Sequence, residues 1–413
     1  MDSWTLKGCI IGCLWVLSMP GAASASAADS SWEVWMHNQI NQHPEIIAAQ
    51  EKMNAAISMT KGRERPQYNP ELATEYEREG EENNYRLGLN QTIDLWDKRG
   101  TRQQQARFSR IAAQQDFEFS RLHKTAEAMQ ALIAWHAASQ QAGLIQTQET
   151  HMGTLLDLVK ERLLAGDLGQ IDAELTYLSL SQRLNETAQA QAALKKAEAH
   201  LRELLPDWSA AKMPIPEQFW PALTLNLTPA EQWLDDYPAV VAAKADWDAA
   251  QQFVELARRE AKADPTIGIN AGESGGDKVV GLTFSIPLHT RNNFSSEVLA
   301  AGQEAAAAKA RYQASRGKQQ FAIEGAQAAL QEYQQRLARW QELMQGRGER
   351  SGQLLEKLWQ SGEMSTTEYL LAMEQRTAGL MSGIELQSQF QAAWVDWLLQ
   401  TGQISALLLQ HNN

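Results

Sequence analysis

Tyr85-Arg-Leu-Gly-Leu-Asn-Gln-Thr-Ile-Asp-Leu-Trp-Asp-Lys-Arg99 alternates apolar and polar residues, then runs without a break into a long Ala/Gln/Glu-rich segment. Leu87, Leu89 and Ile93 fall on one side of the alternation and Arg86, Asn90 and Thr92 on the other, the period of a strand. A second stretch, Val279-Val-Gly-Leu-Thr-Phe-Ser-Ile-Pro-Leu-His-Thr-Arg291, has the same form and the same sequel. Each follows another short alternating run, one from Asn69-Pro70 and one from Asp264-Pro265. In the first of these Leu72, Thr74 and Tyr76 alternate with Ala73, Glu75 and Glu77. Gly80–Asn83 and Ser274–Asp277 supply the turns, so the chain is read as two β-hairpins, about 70–95 and 265–288.

Beyond each hairpin the pattern becomes helical. Between Lys98 and Leu164 there is no proline, and Phe119, Leu122, Ala126, Met129 and Ile133 recur at coiled-coil spacing. A helix of that length is a rod of roughly 100 Å. Ala165-Gly-Asp-Leu168 ends it, and helical pattern resumes to Leu205 with Leu175, Leu178, Leu184 and Leu194 as apolar points, an αα-hairpin with a glycine at its tip. Upstream, residues 31–64 hold a helix with Pro44-Glu45 in its first turn and Ile46, Ile47, Met53 and Ile57 on one face. Five prolines between Pro206 and Pro229 mark an irregular connector, expected to lie outside the helices.

The landmarks then repeat. His43-Pro-Glu-Ile46 returns as Tyr237-Pro-Ala-Val240, Gly88 as Gly281, and the tip at Gly166 as Gly362, all at nearly one offset. A tandem duplication follows, 28–230 and 231–413, each unit being helix, hairpin, long helix, glycine tip, helix. Residues 1–27 read as a signal peptide: Lys7, an apolar stretch from Cys9 to Met19, Pro20-Gly21, and small residues at Ala23–Ala25 or Ala25–Ala27 for cleavage. A retained N-terminal anchor is the alternative. Both cysteines, Cys9 and Cys13, lie in this segment, so neither a disulfide nor a thiolate metal site is expected beyond it.

A net charge of -13 disfavours nucleic acid as a partner and suits a path that repels anions and gathers cations. No run of eighteen apolar residues follows the signal, so any membrane crossing must use strands. Leu87, Leu89, Leu282 and Phe284 are expected to face lipid, with Glu75, Glu77, Arg86 and Asn90 toward water. Four strands cannot close a barrel, for which about eight are needed, so the chain must oligomerise through its strands. His123, His136 and His151 share a segment but not an i, i+3 or i, i+4 spacing, so they form no metal site and are read as surface residues. There is no nucleophile–base pattern and no phosphate loop, and neither an enzyme nor a cofactor is expected.

The duplication, the Val-Gly-Leu-Thr-Phe-Ser-Ile-Pro-Leu strand end and the doubled tips, Gly-(Asp/Glu)-(Leu/Met)-x-x-x-(Asp/Glu), together resemble the outer-membrane efflux (TolC) family over roughly 30–410. The short turns look most like its heavy-metal-efflux, CzcC-like branch. The resemblance implies a homotrimer whose twelve strands form a β-barrel, continued by an α-helical barrel in the periplasm. It implies a passive exit duct in a tripartite pump, with a periplasmic adaptor (membrane fusion protein) and an inner-membrane RND-type transporter as partners. By position it implies a periplasmic gate at Asp172 and Glu368. The plain alternative is that each complements a helix dipole. Met364 stands where the family's basic gate partner belongs, so no salt-bridge lock carries over. Leu164, Ala165, Gly166, Leu168, Ser361, Gly362 and Met364 would meet the adaptor. Glycine in a left-handed turn accounts for Gly166 and Gly362 but not for Leu168 and Met364, read here as exposed. Two rival readings are a duct for secreted protein (type I secretion) and, in another class, a periplasmic coiled-coil adaptor.

Overall fold

The computed structural model describes residues 23–166, 168–211, 215, 220–221 and 232–404. Its order is α1 (Ala23–Gln42), α2 (Pro44–Arg63), β1 (Glu71–Glu79), β2 (Glu82–Thr92), α3 (Lys98–Ala165) and α4 (Gln170–Leu204). The second half continues with α5 (Pro238–Glu260), β3 (Thr266–Ser274), β4 (Asp277–Ser285), α6 (Ser295–Met344), α7 (Arg347–Gln360) and α8 (Thr366–Thr401). Residues 1–22 of the expected signal peptide lie outside the described residues, and α1 runs through the positions expected for cleavage.

The two hairpins join into one antiparallel sheet of order β1-β2-β3-β4. Both turns are two residues long, shorter than expected. Gly80 (φ 68°) serves the first and Gly275-Gly276 (φ 60° and 83°) the second, a conformation that glycine adopts without strain. The halves meet between β2 and β3, where Leu89 pairs with Ile269 and Thr92 with Thr266. Gly272 is required at this seam, since a Cβ there would lie 1.8 Å from the Tyr85 carbonyl oxygen.

α3 is 68 residues long and packs against α2, α4, α5 and α8. Asp94 caps its start, accepting from the Lys98 and Arg99 amides at 2.9 and 2.8 Å, and Gly166 (φ 82°) ends it. The expected seam is buried at Leu122, Ala126, Met129 and Ile133. It packs with Trp32, Met36 and Ile40 of α1 and with Phe390, Trp394 and Leu398 of α8 in the main core.

The helical part adds detail to the sequence reading and departs from it in places. Pro44 does stand in the first turn of a helix, α2, as expected, and the sequence reading did not separate α1, which ends before it. The second long rod is interrupted at Gln345-Gly346, where Gly346 takes φ 64° and α7 starts afresh. The connector does not simply lie outside: Trp208 is buried in the main core, 4.6 Å from the Trp135 ring and edge-on to it. Most of 212–231 lies outside the described residues. On α4, the apolar points Leu178 and Leu184 are exposed.

Candidate functional site

The ladder register assigns every strand residue to a face. Leu72, Leu89, Ile269 and Leu282 stand in one row across all four strands, followed by Thr74, Leu87, Ala271 and Val280. With Ile267 and Phe284 beside them, these residues make one apolar surface. Its large side chains are between 49% and 86% exposed, so nothing among the described residues covers it. Leu87, Leu89, Leu282 and Phe284 therefore do share one uncovered face. The opposite face carries Glu75, Glu77, Arg86 and Asn90 with Gly88, Gly268 and Gly281. Glu75 and Arg86 form an open ion pair at 3.5 Å. Tyr76 and Tyr85 stack at 6.4 Å near the turn end of the apolar face, and Leu95 and Trp96 are exposed just past its other end. Strands of 9 to 11 residues, apolar on one side and bracketed by aromatic rings, match what spans a bilayer. Among the described residues β1 pairs only with β2 and β4 only with β3, so both outer edges are open there.

Beneath the sheet the two halves are clasped. Lys98 Nζ lies 2.9 Å from Asp264 Oδ2 and donates to the Lys262 carbonyl at 2.7 Å, and the Tyr68 hydroxyl donates to the same carboxylate oxygen at 2.8 Å. Burial, with the Asp264 carboxylate beside it, pushes the Tyr68 hydroxyl up to about 12. Arg259 adds a second tie, donating to the Asp97 carbonyl at 2.8 Å and pairing with its carboxylate at 2.9 Å. Sequence reasoning missed this clasp, since nothing local marks Lys98 and Asp264 as partners.

At the far end the two hairpin tips share a small core. Met152, Leu155 and Val159 of α3, Ala173 of α4, Trp359 of α7 and Tyr369, Leu370 and Met373 of α8 are buried together. Leu168 and Met364 are half-buried against that cluster, which corrects their reading as exposed: both turns fold back so that these side chains close the core. Gly166 (φ 82°) and Gly362 (φ 77°) form the expected left-handed turns. Leu164, Ala165, Ser361 and both glycines are exposed, as is Ile171, at 77%, a residue the sequence reading passed over.

Asp172 lies in the first turn of α4 and accepts from the Thr367 hydroxyl at 3.3 Å, a bond from the first repeat to the residue that precedes Glu368. Glu368 is committed to a capping box, with its carboxylate taking the Ser365 amide at 2.9 Å and hydroxyl at 2.8 Å. Those bonds hold it below its usual range. His151 is more than a surface residue: its Nε2 lies 2.7 Å from the Tyr369 hydroxyl on α8. His123 and His136 stand on aromatic neighbours, Phe119 at 4.2 Å and Trp220 at 5.0 Å. Among the described residues no three His, Cys, Asp or Glu are grouped as metal ligands would be, and no helix is long and apolar enough to cross a membrane.

No family model and no curated relative matches the sequence. Solved structures do share the fold. The outer membrane protein VceC of Vibrio cholerae superposes with a TM-score of 0.74 at 17% identity, over 93% of this chain and 99% of that one. The CmeC outer membrane channel of Campylobacter jejuni gives 0.74 at 14% identity, over 99% and 97%. The open MtrE outer membrane channel of Neisseria gonorrhoeae gives 0.72 at 15% identity, over 90% and 88%.

Proposed function

We propose that this chain is the outer-membrane channel component of a tripartite efflux pump, a passive homotrimeric exit duct of the TolC kind. The observation that carries the reading is a sheet apolar and uncovered on one face, open at both edges, and mounted on a helical rod of roughly 100 Å. An apolar sheet face of that size is stable in lipid, but an open edge in hydrocarbon is not. Three copies, joined β1 to β4, close twelve strands and satisfy both conditions. The helices then continue the barrel into the periplasm, and the tips receive the adaptor that connects to an inner-membrane RND-type transporter. The fold that the chain shares with an outer membrane protein and two outer membrane channels from three organisms supports this reading.

Export here needs no bond chemistry from the chain, which is a conduit and not an enzyme. Heavy-metal cations are the cargo we assign: the net charge is -13, and Glu75 and Glu77 lie on the water-side face. The short hairpin turns make the CzcC-like branch of the family the one that we favour. Light scattering of detergent-solubilised protein, corrected for bound detergent, tests the core of this. We expect the mass of three mature chains. A monodisperse monomer that keeps its strand content in circular dichroism would refute the assembly.

A further inference from the structure

We propose that His151 and Tyr369 form a pH-sensitive clasp that ties α7 and the two hairpin tips together near neutrality and loosens them in acid.

The geometry is specific. His151 belongs to the first repeat and Tyr369 to the second, and their Nε2 and Oη atoms are 2.7 Å apart. Tyr369 is 1% exposed, and its ring stacks on Trp359 at 5.3 Å and 23°. Trp359 in turn carries α7, and its Nε1 donates to the Thr366 hydroxyl at 3.2 Å. The break at Gln345-Gly346 releases α7 from the hydrogen-bond ladder of α6, so α7 can part from the tip core without unwinding its neighbour. The rest of α7 is short and its Leu354 is exposed, which leaves Trp359 as its one fully buried side chain among the described residues.

Burial, with Glu356 nearby, pushes the Tyr369 hydroxyl up to about 12, so it remains a proton donor throughout the working range. Among the described residues its hydrogen-bond partner is His151. A neutral imidazole protonated on Nδ1 accepts that proton at Nε2; an imidazolium has only donors. Imidazole is the side chain that ordinarily changes charge between about pH 5 and 8. On protonation the imidazolium donates to the tyrosine oxygen, and the tyrosine proton must turn toward a cluster whose other buried members are Met, Leu, Val, Ala and Trp side chains. Among the described residues, Arg162 of α3 stands over the Trp359 ring at 4.8 Å, and Asp172 of α4 accepts from the Thr367 hydroxyl on the exposed side of the tip. Glu356 of α7 and Arg376 of α8 act on the Tyr369 hydroxyl with opposite signs.

Hydrogen exchange read by mass spectrometry on the full chain in detergent micelles tests this, following the peptide over α7 and correcting for the intrinsic rate. In the wild type we expect protection to fall roughly tenfold between about pH 8 and pH 5, the scale of one buried donor left unsatisfied. His151→Gln keeps an acceptor at every pH, so α7 should stay protected throughout. Tyr369→Phe removes the donor and should make protection independent of pH. A wild type with no acid response would overturn the proposal. So would His151→Gln with the same acid response as the wild type, which would place the titration on the carboxylates. The measurement reads the tip alone, so its outcome is separate from whether the chain is an efflux duct.

Discussion

Lys98 and Asp264 form an ion pair at 2.9 Å with side chains only 6% and 3% exposed, and it joins the first repeat to the second directly beneath the sheet. The second oxygen, Asp264 Oδ1, is buried without a partner among the described residues. A buried pair of this kind contributes less through attraction than through the cost of leaving one member alone. Lys98→Met should therefore destabilise the protein by about 3–5 kcal/mol. Lys98→Met with Asp264→Leu should recover most of that loss, because no charge is then left behind. Unfolding midpoints in denaturant compare the three proteins. A double variant as unstable as the single one would mean that the Tyr68 and Lys262 bonds, rather than the charges, matter.

The apolar sheet face gives a second expectation. Leu89 and Leu282 lie in one row with Ile269 between them. If that row lies near the bilayer midplane, Arg at either position should cost about 2–4 kcal/mol. Asn90→Arg, one residue along on the other face, should be far milder. Folding yields into lipid vesicles across a urea series measure the contrast, and equal sensitivity at both faces would remove lipid from the apolar side.

Glu368 offers a pH dependence with a definite sign. Its carboxylate is held below the ordinary range by the Ser365 amide and hydroxyl, so it contributes stability above its unfolded value. That contribution is lost as pH falls through the lowered folded value. Glu368→Gln should thus be less stable than the wild type near neutrality, and the difference should shrink in strong acid. Thermal melts of the two proteins at both pH values show whether the curves converge.

The same residue enters the gate proposal. Thr367 brings Asp172 beside the head of α8, so in a trimer six carboxylates would gather at the tips. Mutual repulsion there favours bound cations. In planar-bilayer recordings multivalent cations should block current from the tip side, and Asp172→Asn with Glu368→Gln should weaken the block while leaving assembly intact. Unchanged block would leave Glu368 with its capping box and Asp172 with its place beside a helix N-terminus.

Much of this molecule is local, and the local part was legible in the sequence. A period of two residues assigns strand faces wherever a strand forms, so Leu87, Leu89, Leu282 and Phe284 could be grouped before any pairing was known. Glycine between two helical patterns marked both tips, because its freedom at positive φ belongs to the residue itself. Other features depend on groups far apart in the chain. That β2 pairs with β3, that Lys98 finds Asp264, and that His151 reaches Tyr369 are decided by how the repeats pack, which no local spacing encodes. Leu168 and Met364 show the difference most directly: their turns predict exposure, yet the shared tip core half-buries both. The sequence by itself determined the elements and the faces they present, through periods of two and 3.6 residues and the backbone limits of glycine and proline. Only the tertiary structure decided which of those faces meet within the chain and which are left bare, because burial is a property of neighbours rather than of a residue.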